Sequence, residues 1–97
     1  MLAGVGDVTN PVLIPESKVE PEYPELARVA RLEGNVILQA IIDRNGDVVN
    51  VRVIKGQPMG LSEKAIEAIR QWKFQPATLN GKPVDVYYNL TVNFRLQ

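Results

Sequence analysis

An Asn-Gly pair between two β-branched runs constrains the fold of this chain more than any other feature. Asn45-Gly46 follows the run Asn35–Asp43 and precedes the run Val48–Lys55. Both residues of the pair tolerate a positive φ, which favours a type I′ turn with a two-residue loop. The sequence therefore predicts a β-hairpin.

The register of this hairpin follows from the length of its loop. A loop of Asn45 and Gly46 alone opposes residues whose numbers add up to 91. The opposed pairs on one face are then all apolar: Ile42 with Val49, Ala40 with Val51 and Leu38 with Val53. The other face is mixed, with Ile41 opposite Asn50 and Gln39 opposite Arg52. We expect the apolar face to be buried and the mixed face to be partly exposed.

A long strand and two helices complete the pattern. Val84–Leu96 alternates strictly between apolar and polar residues, as a strand buried on one face does. Leu61–Trp72 carries apolar residues at helical spacing, and Ser62 is placed to cap its N-terminus. A shorter helix is predicted over Pro24–Glu33, with Gly34 placed to end it.

These elements predict an α+β fold with two layers. A short N-terminal helix precedes a ββαβ core, in which the second helix covers a three-stranded antiparallel sheet. Residues 1–18, with prolines at positions 11 and 15, show neither helical nor strand periodicity. We expect an extended lead-in over 1–18 and one domain over 19–97, which suits a single compact core.

The composition argues against several classes of function. Eleven basic and eleven acidic residues leave no net field that would attract nucleic acid. The chain has no histidine and no cysteine, which removes the commonest general base and all thiolate chemistry. Asp43, Asn45 and Asp47 have the spacing of a calcium loop, but Val48 and Ile54 stand where that loop needs Gly and Glu. We expect a non-enzymatic protein without a cofactor or metal.

The predicted last strand exposes an edge. Its thirteen residues exceed the roughly eight of its neighbours, which leaves N–H and C=O groups without partners in the chain. That edge is poorly protected, because it carries few charges and no proline after Pro83. It should either pair with a second copy or accept a strand from another protein. Its polar residues alternate from Asp85 to Arg95, and those that we expect to contact the partner are Tyr87, Asn89, Thr91, Asn93 and Arg95.

Several short segments occur in an order that is typical of one protein family. They are Glu20–Pro24 with Ala27, Glu33–Val36, Ile42-Asp43 with Gly46–Val48, Ala65-Ile66 with Ala68, Trp72–Ala77, Asn80–Val84 and Val92–Phe94. Together they resemble the C-terminal domain of TonB energy-transducer proteins, over Val19–Leu96. Their order and spacing are more specific than any single segment.

This resemblance implies a function and a location. Family members work in the periplasm, tethered to the inner membrane by an anchor that this chain lacks, on which ExbB- and ExbD-type motor proteins act. Their C-terminal domain binds the TonB box of an outer-membrane transporter as a strand beside its last strand, and relays energy for substrate uptake. The resemblance implies the strand order 2-1-3, with the last strand outermost. It also places the transporter near Glu20, Pro21, Glu22, Tyr23 and Pro24.

Two other hypotheses stay open. The same edge could join two copies into a homodimer without a receptor role. Alternatively, Trp72, Phe74 and Tyr87 could stack on nucleotide bases. Trp72 completes the apolar stripe of its helix, however, and the chain lacks basic clusters. The sequence therefore favours a TonB-type adaptor that binds a transporter, with no nucleic-acid partner.

Overall fold

The structure is a computed structural model that describes all residues, Met1–Gln97. Its two α-helices are α1 (Glu25–Val29) and α2 (Leu61–Ile69), and a 3-10 turn covers Pro15–Ser17. The strands are β1 (Val12–Leu13), β2 (Gly34–Ile42), β3 (Val48–Lys55), β4 (Phe74–Gln75), β5 (Thr78–Leu79), β6 (Lys82–Pro83) and β7 (Val86–Phe94). The chain is thus a small α+β domain with two helices and antiparallel sheets, as predicted.

The main sheet has three antiparallel strands in the order β3-β2-β7. The central strand β2 pairs with β7 from Gly34 opposite Phe94 to Ile42 opposite Val86, without any irregularity. Two smaller pairs, β1 with β4 and β5 with β6, lie outside this sheet. Both edges of the main sheet are therefore formed by strands that have one neighbour each.

The core lies between α2 and one face of this sheet. Alternate residues of β2 and β7 point into it, and α2 contributes its apolar stripe. The largest fully buried side chains are Phe94, Leu38, Ile42, Leu61, Ile69, Val36 and Val86. No polar or charged residue is buried. The alternation in sequence therefore decides which face of each strand packs inward.

The register of the hairpin differs from the prediction near its turn. Leu38 lies opposite Val53, as predicted, but Ile42 lies opposite Val48 rather than Val49. The register shifts by one residue between Gln39 and Ile41, and again between Ile37 and Leu38, where Ile37 lies opposite Lys55 rather than Ile54. The length of the turn and a bulge in β3 together explain why the register near the turn differs from the prediction.

The turn itself is longer than the predicted two-residue loop. Gly46 has a φ of 83°, whereas Asn45 has no positive φ, so the loop is not a type I′ turn. The N–H of Gly46 donates to the C=O of Asp43 at 2.8 Å, which closes a three-residue loop that ends in a left-handed glycine. Asn50, at a φ of 51°, is the bulged residue that restores the predicted register at Gln39 and Leu38.

The first helix is shorter than predicted. It ends at Val29 rather than Glu33, because Arg31 adopts a left-handed φ of 55°. The N–H of Leu32 then donates to the C=O of Ala27 at 2.9 Å, which is the hydrogen bond of a Schellman cap. Gly34 is consequently the first residue of β2 and not a helix terminator.

The second helix begins as predicted but is capped differently. It covers Leu61–Ile69 and stops before Trp72, which stays buried at 4% exposure. The prediction that Ser62 caps this helix is wrong. Its Oγ accepts from the N–H of Gln57 at 2.8 Å and donates to the C=O of Gln57 at 3.0 Å. Gly60 occupies the cap position, at a φ of 85°.

The last strand is also shorter than Val84–Leu96. It covers nine residues, Val86–Phe94, the same number as β2. The chain leaves the sheet before Val86, where the N–H of Val84 donates to the C=O of Ala77 at 2.9 Å. The expectation that this strand outruns its neighbour is therefore wrong, and only its outer side is free.

The segment before residue 19 lies against the domain. Val12–Leu13 pairs with Phe74–Gln75, and the N–H of Ile14 donates to the C=O of Lys73 at 2.9 Å. The side chain of Leu13 packs against the core. None of the helices has the length and apolar content to cross a membrane.

Candidate functional site

The outer edge of β7 is the candidate site. The N–H of Tyr87 points away from β2 and donates to the C=O of Met1 at 2.8 Å. Because backbone groups alternate in direction along a strand, those of Asn89, Thr91 and Asn93 point the same way. No backbone group of the chain bonds to these three residues on that side. The edge therefore presents consecutive unused donors and acceptors.

The side chains of β7 fix how this edge is presented. Val86, Leu90, Val92 and Phe94 are buried against the core. Tyr87, Asn89, Thr91 and Asn93 lie on the solvent face, and Tyr87 is 48% exposed. The outward backbone groups belong to these solvent-face residues. A strand added here would meet a rigid partner, since every second residue of β7 is held in the core.

Two clefts lie along the edge. The first, of about 300 Å³, is lined by Leu2, Ala3, Asn10, Gln39, Tyr87, Tyr88 and Asn89. The second, of about 150 Å³, is lined by Lys18, Glu20, Pro21, Trp72, Thr91, Val92 and Asn93. One cleft lies at each end of the open edge, so side chains of an added strand would find space at both ends.

The opposite edge of the sheet is better protected. β3 carries the bulge at Asn50, and its exposed residues include the cations Arg52 and Lys55. Bulges and charges are the usual features that block strand pairing at an edge. β7 has no bulge along its nine paired residues, and its solvent-face residues from Tyr87 to Asn93 are uncharged. The two edges thus differ in the features that govern strand addition.

Tyr23 holds the Glu20–Pro24 segment to the end of β7. Its ring packs edge-on against Phe94, with ring centroids 5.5 Å apart. Its hydroxyl donates to the C=O of Leu32. The half-buried tyrosine joins the apolar cluster of the core, so its hydroxyl is already used within the chain.

The two glutamates of the same segment line one cleft beside Lys64, but only Glu22 forms an ion pair with it. Lys64 Nζ lies 3.7 Å from Glu22 Oε2 and 3.2 Å from Glu67 Oε2. The hydrogen bond and charge of Glu67, followed by the charge of Glu22, raise the pKa of Lys64 above its ordinary value. Glu20 lines the smaller cleft beside Thr91. The segment thus lies between α2 and the β7 edge.

The structure brings together only part of the predicted set of site residues. Tyr87, Asn89, Thr91 and Asn93 form one continuous row on the edge, with Glu20 and Pro21 beside it. The other four lie apart from this row: Glu22 near α2, Tyr23 and Pro24 before α1, and Arg95 beyond the strand.

Arg95 is held by the chain itself. Its Nη2 donates to Asn35 Oδ1 at 3.1 Å, and its Nη1 donates to the C=O of Phe94 at 2.9 Å. These bonds fix the guanidinium at the end of the ladder between β2 and β7. The sequence showed only that Arg95 continues the alternating pattern.

Two residues at the edge, Lys18 and Leu2, were not predicted as site residues, and Trp72 was considered only for base stacking. Lys18 Nζ lies 5.7 Å from the centre of the Trp72 ring, and both side chains line the smaller cleft. Trp72 also donates from Nε1 to the C=O of Val19 at 2.9 Å. Leu2 forms an isolated parallel β-bridge with Tyr87 at the opposite end of the edge. No local pattern marks these contacts, because each joins residues far apart in sequence.

The described residues offer little for metal or acid-base chemistry. No group of three or more His, Cys, Asp or Glu side chains could hold a metal ion. No buried side-chain nitrogen or oxygen lacks a hydrogen-bond partner. What the edge offers is backbone hydrogen bonding.

Fold and edge together define a small α+β domain with one bulge-free sheet edge whose outer backbone groups are largely unpaired. The chain belongs to the family described as Gram-negative bacterial TonB protein C-terminal, whose profile matches residues 19–96. This confirms the family resemblance that the sequence segments indicated.

Individual relatives support the same assignment. The chain is 31% identical to Protein TonB of Vibrio cholerae, over 98% of this chain and 41% of that protein. It is 40% identical to Protein TonB of Xanthomonas campestris, over 78% of this chain and 34% of that protein. The chain therefore corresponds to well under half the length of these relatives.

A solved structure has the same fold. The solution NMR structure of the Pseudomonas aeruginosa TonB CTD superposes with a TM-score of 0.70, and the match covers 100% of this chain and 94% of that chain. The sequence identity in this match is 21%. The likeness therefore concerns the architecture.

Proposed function

We propose that this chain is the receptor-binding domain of a TonB-type energy transducer. It captures the TonB-box segment of an outer-membrane transporter as an added strand beside β7. The observation that carries the proposal is the row of unused backbone groups at Asn89, Thr91 and Asn93, on an edge without bulge or charge. The domain acts by binding rather than by catalysis.

Strand addition suits an adaptor that serves several transporters. Ladder hydrogen bonds involve the backbone, so they recognise extended segments of many sequences. Side chains then adjust the preference among segments. The two clefts beside Tyr87 and Thr91 are where such adjustment takes place.

The wider setting of the proposal comes from family membership. The domain works in the periplasm, as the C-terminal part of an inner-membrane-anchored protein that ExbB- and ExbD-type motor proteins drive with the proton gradient. Residues 1–18 form a lead-in, and residues 19–97 form the receptor-binding domain. The Glu20–Pro24 segment faces the docked transporter, where the carboxylates of Glu20 and Glu22 favour a basic surface.

Peptide titration tests the site. A TonB-box heptapeptide added to the isotope-labelled chain should shift the amide signals of Asn89, Thr91 and Asn93 most strongly. Amides on the outer edge of β3, such as that of Val53, should stay in place. Shifts confined to other surfaces would disprove strand addition at β7.

The same open edge supports a second candidate, pairing with another copy of the chain. Two β7 strands could meet edge to edge without a charge or bulge in the way. Light scattering over a concentration series separates the two functions. A dimer that dissociates when the peptide is added would show that both use this edge, whereas a monomer at all concentrations would disprove self-association.

A further inference from the structure

The chain already occupies one end of the candidate edge. Leu2 forms a parallel bridge with Tyr87, and the N–H of Tyr87 donates to the C=O of Met1 at 2.8 Å. The nitrogen of Met1 approaches the C=O of Asp85 at 3.4 Å. Tyr87, the first outward-pointing residue of β7, is therefore unavailable to a partner while this contact holds.

The occupying segment is held weakly. Met1, Leu2 and Val5 are 55%, 59% and 58% exposed, so they bury little apolar surface. Among residues 1–6, only Ala3 packs against the core. Release of residues 1–6 from the edge would therefore leave the core intact.

A glycine hinge separates this segment from firmly attached chain. Gly4 and Gly6 have φ values of 72° and 62°, which L side chains rarely adopt. Beyond them, the N–H of Thr9 donates to the C=O of Thr78 at 2.9 Å, and the N–H of Thr78 donates to Thr9 Oγ1 at 2.8 Å. Residues 1–6 can move while Thr9 stays in place.

We propose that Met1–Gly6 is a displaceable strap that competes with the incoming strand for the Tyr87 end of the edge. The inference rests on the proposed function. With the strap closed, a partner can pair only from Asn89 to Asn93. With the strap open, Tyr87 joins the ladder and the cleft of about 300 Å³ loses the wall formed by Leu2 and Ala3.

The strap lowers the apparent affinity for any segment long enough to reach Tyr87. Binding of such a segment draws on the open fraction of molecules, so the apparent dissociation constant rises as that fraction falls. A shorter segment that stops at Asn89 does not require the opening. The strap thus favours partners whose extra contacts at Tyr87 compensate for displacing it.

A matched pair of glycine substitutions tests the strap in the full chain. Gly6 and Gly81 both have a left-handed φ, of 62° and 80°, and an added Cβ would meet nothing within 4 Å at either position. Gly6→Ala strains the closed strap, whereas Gly81→Ala places the same strain in the turn between β5 and β6. The pair therefore separates the effect of the strap from that of backbone strain.

The measurements are peptide affinity and amide hydrogen exchange. Gly6→Ala should bind a TonB-box heptapeptide about three- to tenfold more tightly than the unmodified chain, because the left-handed alanine disfavours the closed state. The Tyr87 amide should also exchange faster in this variant. Gly81→Ala should leave both quantities unchanged.

The outcomes are distinct for the strap and for the proposed function. An unchanged affinity in Gly6→Ala overturns the strap, whatever the Tyr87 amide does, and so does an equal gain in Gly81→Ala. A peptide that fails to shift Thr91 and Asn93 in any variant overturns the proposed function instead. Exchange at Tyr87 still reports on the strap in that case.

Discussion

The rings of Tyr23 and Phe94 meet edge to face, with centroids 5.5 Å apart and planes inclined by 89°. This contact ties the segment before α1 to the last residue of β7. Removing the ring by Tyr23→Ala should lower the free energy of unfolding by about 2–4 kcal/mol, through lost burial and the cavity left behind. Urea unfolding measures the change.

Two milder variants check the cause of that loss. Tyr23→Phe keeps the ring but loses the hydrogen bond to the C=O of Leu32, and should cost about 1 kcal/mol. Tyr87→Phe, at a half-exposed ring, should change stability by less than about 0.5 kcal/mol. Equal losses at Tyr23 and Tyr87 would contradict the anchoring role of Tyr23.

Proline substitution at the two sheet edges tests the binding site. Thr91→Pro removes an outward N–H from β7 and should weaken binding of a TonB-box peptide by about tenfold or more, which corresponds to roughly 1.4 kcal/mol or more. Fluorescence anisotropy with a labelled peptide measures it. Circular dichroism should show that the fold survives, because Thr91 N–H bonds to no strand of the chain.

Val53→Pro is the matched control on the other edge. Leu38, opposite Val53, points its backbone groups toward β7, so those of Val53 point away from the sheet. This variant should bind the peptide as tightly as the unmodified chain does. Weaker binding in Val53→Pro alone would move the site to β3.

Gly46 should be intolerant of any side chain. It has a φ of 83°, and an added Cβ would lie 1.9 Å from the C=O oxygen of Phe74. The N–H of Phe74 also donates to the C=O of Gly46 at 2.9 Å, so the two backbone segments cannot separate without losing this hydrogen bond. Gly46→Ala should therefore destabilise the domain by more than about 3 kcal/mol in thermal or urea unfolding.

Gly81→Ala again provides the comparison for backbone strain alone. Its φ is 80°, but no atom lies within 4 Å of the added Cβ. The expected loss is about 1–2 kcal/mol. A loss at Gly81 as large as that at Gly46 would show that strain, rather than the close approach of Phe74, dominates.

The ion pairs of Lys64 should give a contribution to stability that disappears at alkaline pH. Glu67 and Glu22 raise its pKa above the ordinary 10.5, so the favourable charge interaction is fully present below pH 10.5 and is lost as the pH rises through the raised pKa. Lys64→Met should be less stable than the unmodified chain at pH 8, and the difference should vanish above that pKa.

Urea unfolding at several pH values measures this difference. Lys82→Met serves as a control, because Lys82 forms no ion pair in the structure. A pH-independent effect of Lys64→Met would assign its role to packing instead of charge.

The hairpin and the alternation of buried and exposed residues along the strands could be predicted from the sequence, because both depend on residues that are neighbours in the chain. Asn45-Gly46 correctly indicated a reversal of the chain between two strands. It did not determine the turn type, since Gly46 alone takes the positive φ and the bulge at Asn50 corrects the register further along. Local preference allowed either loop, and the pairing of the whole strand decided between them.

Other features depended on contacts that leave no local pattern. Arg31 ends α1 in a conformation that sequence reasoning reserves for glycine. The bridge from Leu2 to Tyr87 and the contact of Lys18 with Trp72 join distant parts of the chain. The edge residues Asn89 to Asn93 were predictable from alternation, whereas the segments that border the edge were not.

The unbroken pairing of β2 with β7 has a mechanical consequence. All nine residues of β7 lie opposite β2, from Val86 to Phe94, without a bulge. Tension applied along the axis of β7 therefore loads this ladder in shear, so its hydrogen bonds resist together instead of opening one after another. Tension at right angles to β7 would break these hydrogen bonds one at a time. The domain is consequently stiffest along the direction in which a strand lying on its open edge would be drawn.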